Sequence, residues 1–171
     1  SIISISSNAV LTSSSVITGT LDLSTNSTLN LQDGATLNGS IDPGGIIEEG
    51  IVNSSGAVTI LAEIGNTGAI KEINISSGSQ LRIGNNDDSH TNSISSANTN
   101  ITGQLDLIDA TTINGNVTMI GSSSKIDLSG YSHSINGSFT TASGSRLYST
   151  IHNSSTADKL TISGAATINS N

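Results

Sequence analysis

Two aspartates of this chain stand where carboxylate chemistry is possible. Asp106 and Asp127 lie 21 positions apart, each between two aliphatic residues, with Lys125 and Arg146 nearby. Paired carboxylates serve glycoside hydrolysis, in which one protonates the leaving group and the other acts as nucleophile or base. The same spacing also fits a solvated row of charges on neighbouring repeats. We favour the solvated row, because exposed charge pairs are common on protein surfaces and no aromatic platform for a sugar accompanies these residues.

The sequence gives no clearer indication of a catalytic nucleophile than it gives of a carboxylate pair. The chain is rich in serine, but the Gly-x-Ser-x-Gly turn that presents a catalytic serine is absent. His90, His133 and His152 all stand in stretches rich in serine and asparagine, which we interpret as solvated turns. A catalytic triad is defined by geometry, and composition alone does not indicate one. We therefore predict no catalytic residue and no enzymatic activity.

A short polar run offers oxygen ligands that calcium could use. It consists of Asn85, Asn86, Asp87 and Asp88. The run lacks the spaced acidic pattern of an EF-hand and the glycine-rich repeat of calcium-binding β-helices, so we interpret it as a polar loop. The chain contains no cysteine, which excludes disulfides and thiolate metal sites. We predict neither a metal site nor a cofactor.

The charge balance narrows the range of partners. Five Lys and Arg residues stand against 13 Asp and Glu residues, which gives a formal net charge of -8 at pH 7. So acidic a chain is repelled by nucleic acid and by anionic membrane surfaces, and neither is predicted as a partner. Only 33% of the residues are hydrophobic, as in many disordered chains. Here, however, apolar and polar residues alternate persistently, which indicates a folded β structure.

Two short phrases repeat along the chain and indicate its architecture. The first is a β-prone piece, a glycine and a second β-prone piece, as in Val16-Ile-Thr-Gly-Thr-Leu21 and Asn100-Ile-Thr-Gly-Gln-Leu105. The second is a small-residue turn followed by two apolar residues around a polar one, as in Ser79-Gln-Leu-Arg-Ile83 and Ser124-Lys-Ile-Asp-Leu128. Copies recur about every 20 to 24 residues, the length of a solenoid coil of three short strands.

The alternation within each phrase decides which side chains face inward. Side chains two positions apart in a strand share a face, so Leu29 and Leu31 point into the coil while Asn30 points to solvent. Asparagine and serine are expected to stack from coil to coil at turns, and the Asn-Gly pairs are interpreted as turns that need positive φ. We predict an all-β, right-handed parallel β-helix of seven to eight coils, forming a single domain over residues 1–171, with almost no helix.

Three stretches break the regular pattern and are predicted loops, near residues 42–50, 84–93 and 149–157. The first holds the only proline and ends in Glu48, Glu49 and Gly50; the second holds the run from Asn85 to Asp88. Loops on a rigid scaffold often carry binding contacts. The candidate binding residues are therefore the polar side chains of the first two loops: Glu48, Glu49, Asn85, Asn86, Asp87 and Asp88.

The repeat phrases resemble those of one class of bacterial surface proteins. Ala157-Asp-Lys-Leu-Thr-Ile-Ser-Gly164 resembles the Asp-x-Leu-x-Val-x-Gly phrase of autotransporter passengers, the type V secreted proteins of Gram-negative bacteria, and Gly56-Ala-Val-Thr-Ile60 with its continuation is similar to rickettsial surface antigens. The resemblance implies a β-helix displayed outside the outer membrane that serves adhesion, invasion or autoaggregation. It also implies a C-terminal β-barrel translocator outside this segment. It transfers no functional residue.

Three functions remain, in order of preference. The first is a structural or adhesive module that binds a host-cell surface protein or glycan. The alternative is a polysaccharide lyase or hydrolase on the same scaffold. An ice-binding solenoid comes last, because the outward residues are mixed rather than a regular threonine array. The stretch Ser1-Ile-Ile-Ser-Ile5 and the stretch Ala165-Ala-Thr-Ile168 carry no capping charge or proline. We therefore expect a slice of a longer passenger whose open ends self-associate.

Overall fold

A computed structural model describes residues 1–44, 48–85, 91–150 and 157–169, and these residues form an all-β solenoid without helix. Parallel strands stack into a β-helix of about seven turns, which confirms the predicted fold. The strands are β1 Ile2–Ile5, β2 Val10–Ser13, β3 Val16–Thr18, β4 Thr20–Leu23, β5 Thr28–Leu31, β6 Thr36–Asn38, β7 Ile41–Pro43, β8 Glu49–Ser54, β9 Ala57–Ile60, β10 Ile70–Ile75, β11 Gln80–Ile83, β12 Asn92–Ile101, β13 Gln104–Leu107, β14 Thr111–Met119, β15 Lys125–Asp127, β16 Ser132–Asn136, β17 Phe139–Thr141, β18 Arg146–Tyr148, β19 Lys159–Ile162 and β20 Ala166–Ile168.

The coil has three faces, each built from one strand of every turn. The first face runs through β2, β5, β8, β10, β12, β14, β17 and β20, and the second through β3, β6, β9, β11, β13, β15 and β18. The third begins with β1, β4 and β7, continues through single bridges at Ile64 to the N-terminal half of β12, and runs on through the N-terminal half of β14 to β16 and β19. Strands β12 and β14 are long because they bend from the third face into the first, with an irregularity between Ser95 and Asn98.

The register agrees with the spacing of the sequence repeats. Leu105 pairs with Ile126, and Ile126 pairs with Leu147. Each step equals one turn of 21 residues. The turn that contains the insertion before β12 is longer, since Ile64 pairs with Ile94. Insertions therefore lengthen individual turns without shifting the side chains that face inward.

The core is a narrow stack of aliphatic side chains along the axis of the coil. Leu29 and Leu31 are fully buried, and Asn30 between them is partly exposed, as the alternation predicts. Ile126 is 1% exposed. Ladders of leucine, isoleucine and valine fill the interior, and Phe139 is the one buried aromatic residue among the described positions. Burial of such side chains is the main stabilising contribution to the fold.

An amide ladder runs along the first face. Nδ2 of Asn53 donates to Oδ1 of Asn30 at 2.9 Å, Asn74 donates to Asn53 at 3.0 Å, and Asn100 donates to Asn74 at 3.0 Å. These residues lie within β5, β8, β10 and β12 rather than at the turns where such stacking was predicted. Each amide therefore adds a side-chain hydrogen bond parallel to the backbone bonds between turns.

The glycines of the Asn-Gly pairs are required mainly by close stacking. A Cβ placed on Gly137 would lie 2.1 Å from the carbonyl oxygen of Gly115, which is far below van der Waals contact. Gly115 has φ of 135°, but Gly137 is not among the residues with positive φ. The prediction that every Asn-Gly pair needs positive φ is therefore wrong at Gly137, where the neighbouring turn forbids a side chain.

The first predicted loop is shorter than expected. Asp42 and Pro43 belong to β7, and Glu49 and Gly50 belong to β8. Residues 45–47 lie outside the described part of the chain, as do 86–90 of the second loop and 151–156 of the third. Nothing in the described ranges amounts to a helix capable of crossing a membrane.

Candidate binding surface

The two glutamates of the first predicted loop have different environments, and Glu49 already belongs to β8. Glu48 is exposed, with φ of 65°, and its backbone amide donates to the carbonyl of Ala69 at 2.6 Å. Glu49 is only 8% exposed, and its carboxylate accepts a hydrogen bond from the hydroxyl of Thr25. Glu49 thus holds two neighbouring turns together, while Glu48 is available at the surface.

Asn85 is exposed at the base of the second loop and is fixed there by Asp109. Oδ2 of Asp109, which is fully buried, accepts from the backbone amide of Asn85 at 2.8 Å and from Nδ2 of Asn92 at 3.1 Å. One carboxylate therefore anchors both ends of the insertion. Asn86, Asp87 and Asp88 lie outside the described residues, so their role as binding residues stays a prediction.

A shallow pocket lies beside this anchor. It has a volume of about 320 Å³ and includes Glu63, Asn85, Thr91 and Asn92 in its lining. The strands that flank the second and third predicted loops meet at the same corner, since β11 and β18 belong to the second face and β12 and β19 begin on the third. This corner, which we call the insertion corner, is where the chain departs most from regular repetition.

His133 does not lie in a solvated turn as predicted. It belongs to β16, is 4% exposed and points into the coil. Its Nδ1 accepts from the backbone amide of Thr111 at 3.2 Å, and its Nε2 lies 2.9 Å from the carbonyl oxygen of Leu128. A carbonyl only accepts, so Nε2 carries the proton and the ring is neutral. Burial lowers the pKa of His133, although the Leu128 carbonyl and Asp158 act in the opposite direction.

Asp106 and Asp127 occupy paired positions on β13 and β15, as the repeat spacing predicts. Asp106 is nevertheless 7% exposed, because Gln80 and Gln104 cover it. Nε2 of Gln80 donates to one carboxylate oxygen at 2.5 Å, and Nε2 of Gln104 donates to the other at 2.7 Å. Asp127 accepts from the backbone amide of Ser129 at 2.9 Å. Asp106 is therefore a covered acceptor rather than one member of an open carboxylate pair.

A groove runs beside these aspartates, parallel to the axis of the coil. Its volume is about 440 Å³, and its wall is formed by the first residues of four consecutive strands, Gln80, Gln104, Lys125 and Arg146. Small residues of the preceding turns, among them Gly103 and Ser123, line the rest. The axial groove follows from the second repeat phrase, the small-residue turn that precedes each strand of this face. The small turn residues leave space, and the first residue of the following strand forms the wall.

Two cations of the axial groove lie next to each other. Lys125 pairs in register with Arg146. No carboxylate of the described residues lies within 4.0 Å of either side chain. The Arg146 guanidinium lowers the pKa of the adjacent Tyr148 hydroxyl, and Tyr148 is 41% exposed on the same face. Like charges on directly paired positions repel each other, so this arrangement costs stability in the free chain.

Sequence reasoning noted Lys125 and Arg146 but missed the two glutamines. Gln80 and Gln104 follow the small turn residues of the same phrase, so aligning its copies would have placed all four residues in one column. Across the ranges that the structure describes, no three acidic or histidine side chains are grouped so as to hold a metal ion. Comparison with protein-family models, curated proteins and solved structures returns no match for this chain.

Proposed function

We propose that this chain is a structural and adhesive module, a stiff parallel β-helix that binds a protein or glycan of a host-cell surface. The observation that carries the proposal is that the coil keeps its stacked register over about seven turns while the insertion between β11 and β12 lengthens one of them. A continuous aliphatic core keeps the scaffold rigid. Loops on a rigid scaffold can vary in sequence without disturbing it, and binding contacts concentrate on them.

The setting that we propose is an autotransporter passenger displayed outside the outer membrane of a Gram-negative bacterium. The parallel β-helix and the resemblance of its repeat phrases to such passengers support this setting. An acidic surface, with a net charge of -8, suits a soluble extracellular rod that does not bind the bacterium's own anionic lipids. In this setting the translocating barrel belongs to another part of the parent protein.

Self-association through the ends of the coil is a second contact that we propose. Strands of the first turn present exposed apolar side chains, with Ile2 69%, Val10 63% and Val16 67% exposed. At the other end Leu147 is 47% and Ile168 is 61% exposed. Both ends are edges of parallel sheets, and such edges pair with strands of other chains. A second copy stacked end to end would cover both surfaces and continue the coil.

Retention of the chain by cultured cells tests the adhesive function. Residues 86–90 are replaced by a glycine-serine segment of equal length, and the same replacement of 151–156 serves as the matched control at the same corner. We expect the 86–90 variant to lose most of its retention and the control to keep it, with unchanged β-rich circular dichroism in both. If the 86–90 variant and a variant replaced at 45–47 both bind like the original chain, the loop assignment is wrong.

Polysaccharide cleavage is a second candidate function. It is favoured by one observation, the paired positions of Asp106 and Asp127 beside the axial groove. The two amide hydrogen bonds that cover Asp106 argue against it.

A further inference from the structure

We propose that the axial groove binds a linear acidic polysaccharide through its sulfate or carboxylate groups. This proposal deepens the adhesive function by naming a ligand class and a site away from the insertion corner. It starts from the distribution of positive charge. The chain has five Lys and Arg residues. Three of them, Arg82, Lys125 and Arg146, point outward from β11, β15 and β18 of the second face.

The charged residues that line the axial groove are both cations, although the chain has a net charge of -8. Lys125 and Arg146 pair in register, and no described carboxylate lies within 4.0 Å of them. Two carboxylates lie on the same face: Asp106 accepts from Gln80 and Gln104, and Asp127 accepts from the backbone amide of Ser129. The Arg146 guanidinium contacts the Tyr148 hydroxyl, but neither cation is paired with a carboxylate in the described part of the chain, so the positive charge of both is available to an external anion. An anion between them would convert a repulsive pair into two charge-assisted contacts.

The shape of the groove favours a polymer over a single small anion. Its wall residues repeat once per strand over four strands, which spans about 14 Å at the usual strand separation of about 4.8 Å. The groove is open and follows the axis, so a chain of sugars can lie along it without ending inside it. Lysine offers a point charge and arginine a planar fork, and both suit sulfate and carboxylate groups.

The other lining groups match the hydroxyls of a sugar chain. Gln80 and Gln104 line the groove, and because Asp106 accepts from their amide nitrogens, their carbonyl oxygens remain as acceptors. Ser122 and Ser123 are exposed in its lining and supply hydroxyl groups. Tyr148 adds an exposed ring on the same face, next to Arg146. These acceptors, hydroxyls and the aromatic ring match the hydroxyl groups and rings of an acidic glycan. A nucleic acid instead carries a negative charge on every phosphate of its backbone, and the groove offers it two cations.

Titration of the full chain with defined polymers tests this proposal. The probes are heparin, which carries both groups, dextran sulfate for sulfate alone, polygalacturonate for carboxylate alone, neutral dextran, and duplex DNA as a polyanion without sugar carboxylates or sulfates. The test variant is Lys125→Gln with Arg146→Gln. The matched control is Lys71→Gln with Lys159→Gln, which removes the same charge from exposed lysines on other faces.

We expect at least one charged probe to bind and neutral dextran not to bind. Affinity should fall about tenfold or more in the groove variant and less than about twofold in the control, because two charge-assisted contacts are lost only in the former. The proposal is overturned if no charged probe binds, if both variants weaken equally, or if duplex DNA binds as tightly as heparin. Cell retention without probe binding would reject the groove as a binding site and leave the adhesive function standing. Probe binding without cell retention would support the groove and reject the adhesive function.

Discussion

The backbone amide of Thr111 donates a hydrogen bond over 3.2 Å to Nδ1 of His133, a buried histidine inside the coil. The bond joins β14 to β16, and Leu128 engages the other ring nitrogen. Both ring nitrogens are therefore used in one tautomer of the neutral ring. Protonation would remove the acceptor at Nδ1, so the fold stabilises the neutral form.

This contact predicts a loss of stability in mild acid. The folded-state pKa of His133 is lowered by burial, while in the unfolded chain it is near 6.5. The unfolded state binds more protons between these two values, so the free energy of unfolding falls as the pH falls below about 6.5. Urea denaturation at about pH 7.5 and about pH 5 measures the change. His133→Gln should lose less stability over that interval than the original chain; an equal loss in both would contradict the assignment.

A charge placed in the core should unfold the middle turns. Ile126 is 1% exposed and stacks between Leu105 and Leu147. Ile126→Asp leaves a buried charge without a partner and should cost about 3–5 kcal/mol of unfolding free energy. Ile126→Val is the control and should cost about 0.5–1.5 kcal/mol. Thermal melts compare the two, and an unchanged melting temperature for Ile126→Asp would show that the strand faces are assigned the wrong way round.

Stacked glycines predict a position-specific response to alanine. Gly137→Ala would place a Cβ 2.1 Å from the Gly115 carbonyl oxygen, so the neighbouring turn must move. We expect a loss of about 1–3 kcal/mol, as for other overpacked sites. Gly44→Ala is the matched control, because its nearest atom is 3.4 Å away and its φ is not positive. Chemical denaturation should leave this control within about 1 kcal/mol of the original chain. Equal losses would mean that the turns do not stack this closely.

End-to-end stacking predicts that charges on the first turn keep copies apart. Ile2→Lys with Val16→Lys places two like charges on the exposed sheet edges. Sedimentation velocity should show less self-association than in the original chain. Ile120→Lys is the control, since Ile120 is 45% exposed in the middle of the coil rather than at an end. A control that dissociates as much as the double variant would place the contact on the side of the rod.

Much of the fold was predictable because one periodicity fixes both the strand faces and the turn length. The 21-residue steps from Leu105 to Ile126 to Leu147 are the register of the second face. The environment of His133 was predicted wrongly because its neighbours are serines. Its distance of two positions from Ile135 was the available signal, since both residues share the inward face of β16.

The candidate surface was harder to predict because it depends on contacts between turns. Nothing local to Glu49 indicates that it is covered by Thr25 from the previous turn. Likewise, Asp106 has the flanking pattern of an outward residue, and only the neighbouring Gln80 and Gln104 cover it. The loop bounds were too wide because proline was interpreted as a break, whereas Pro43 ends β7. Because the turns differ in length, side chains that stack on one another are unevenly spaced in the sequence, and the sequence alone does not show which of them are neighbours.

The most direct test of the claim that this chain binds rather than cleaves is product release from acidic polysaccharides. The full chain is incubated with heparin or polygalacturonate, and new reducing ends and unsaturated sugars are measured against a heat-denatured sample. We predict no release above that control, because Asp106 is covered by Gln80 and Gln104 and is held as an acceptor. Release that disappears in Asp106→Asn or Asp127→Asn would contradict the adhesive function and assign the aspartates to catalysis.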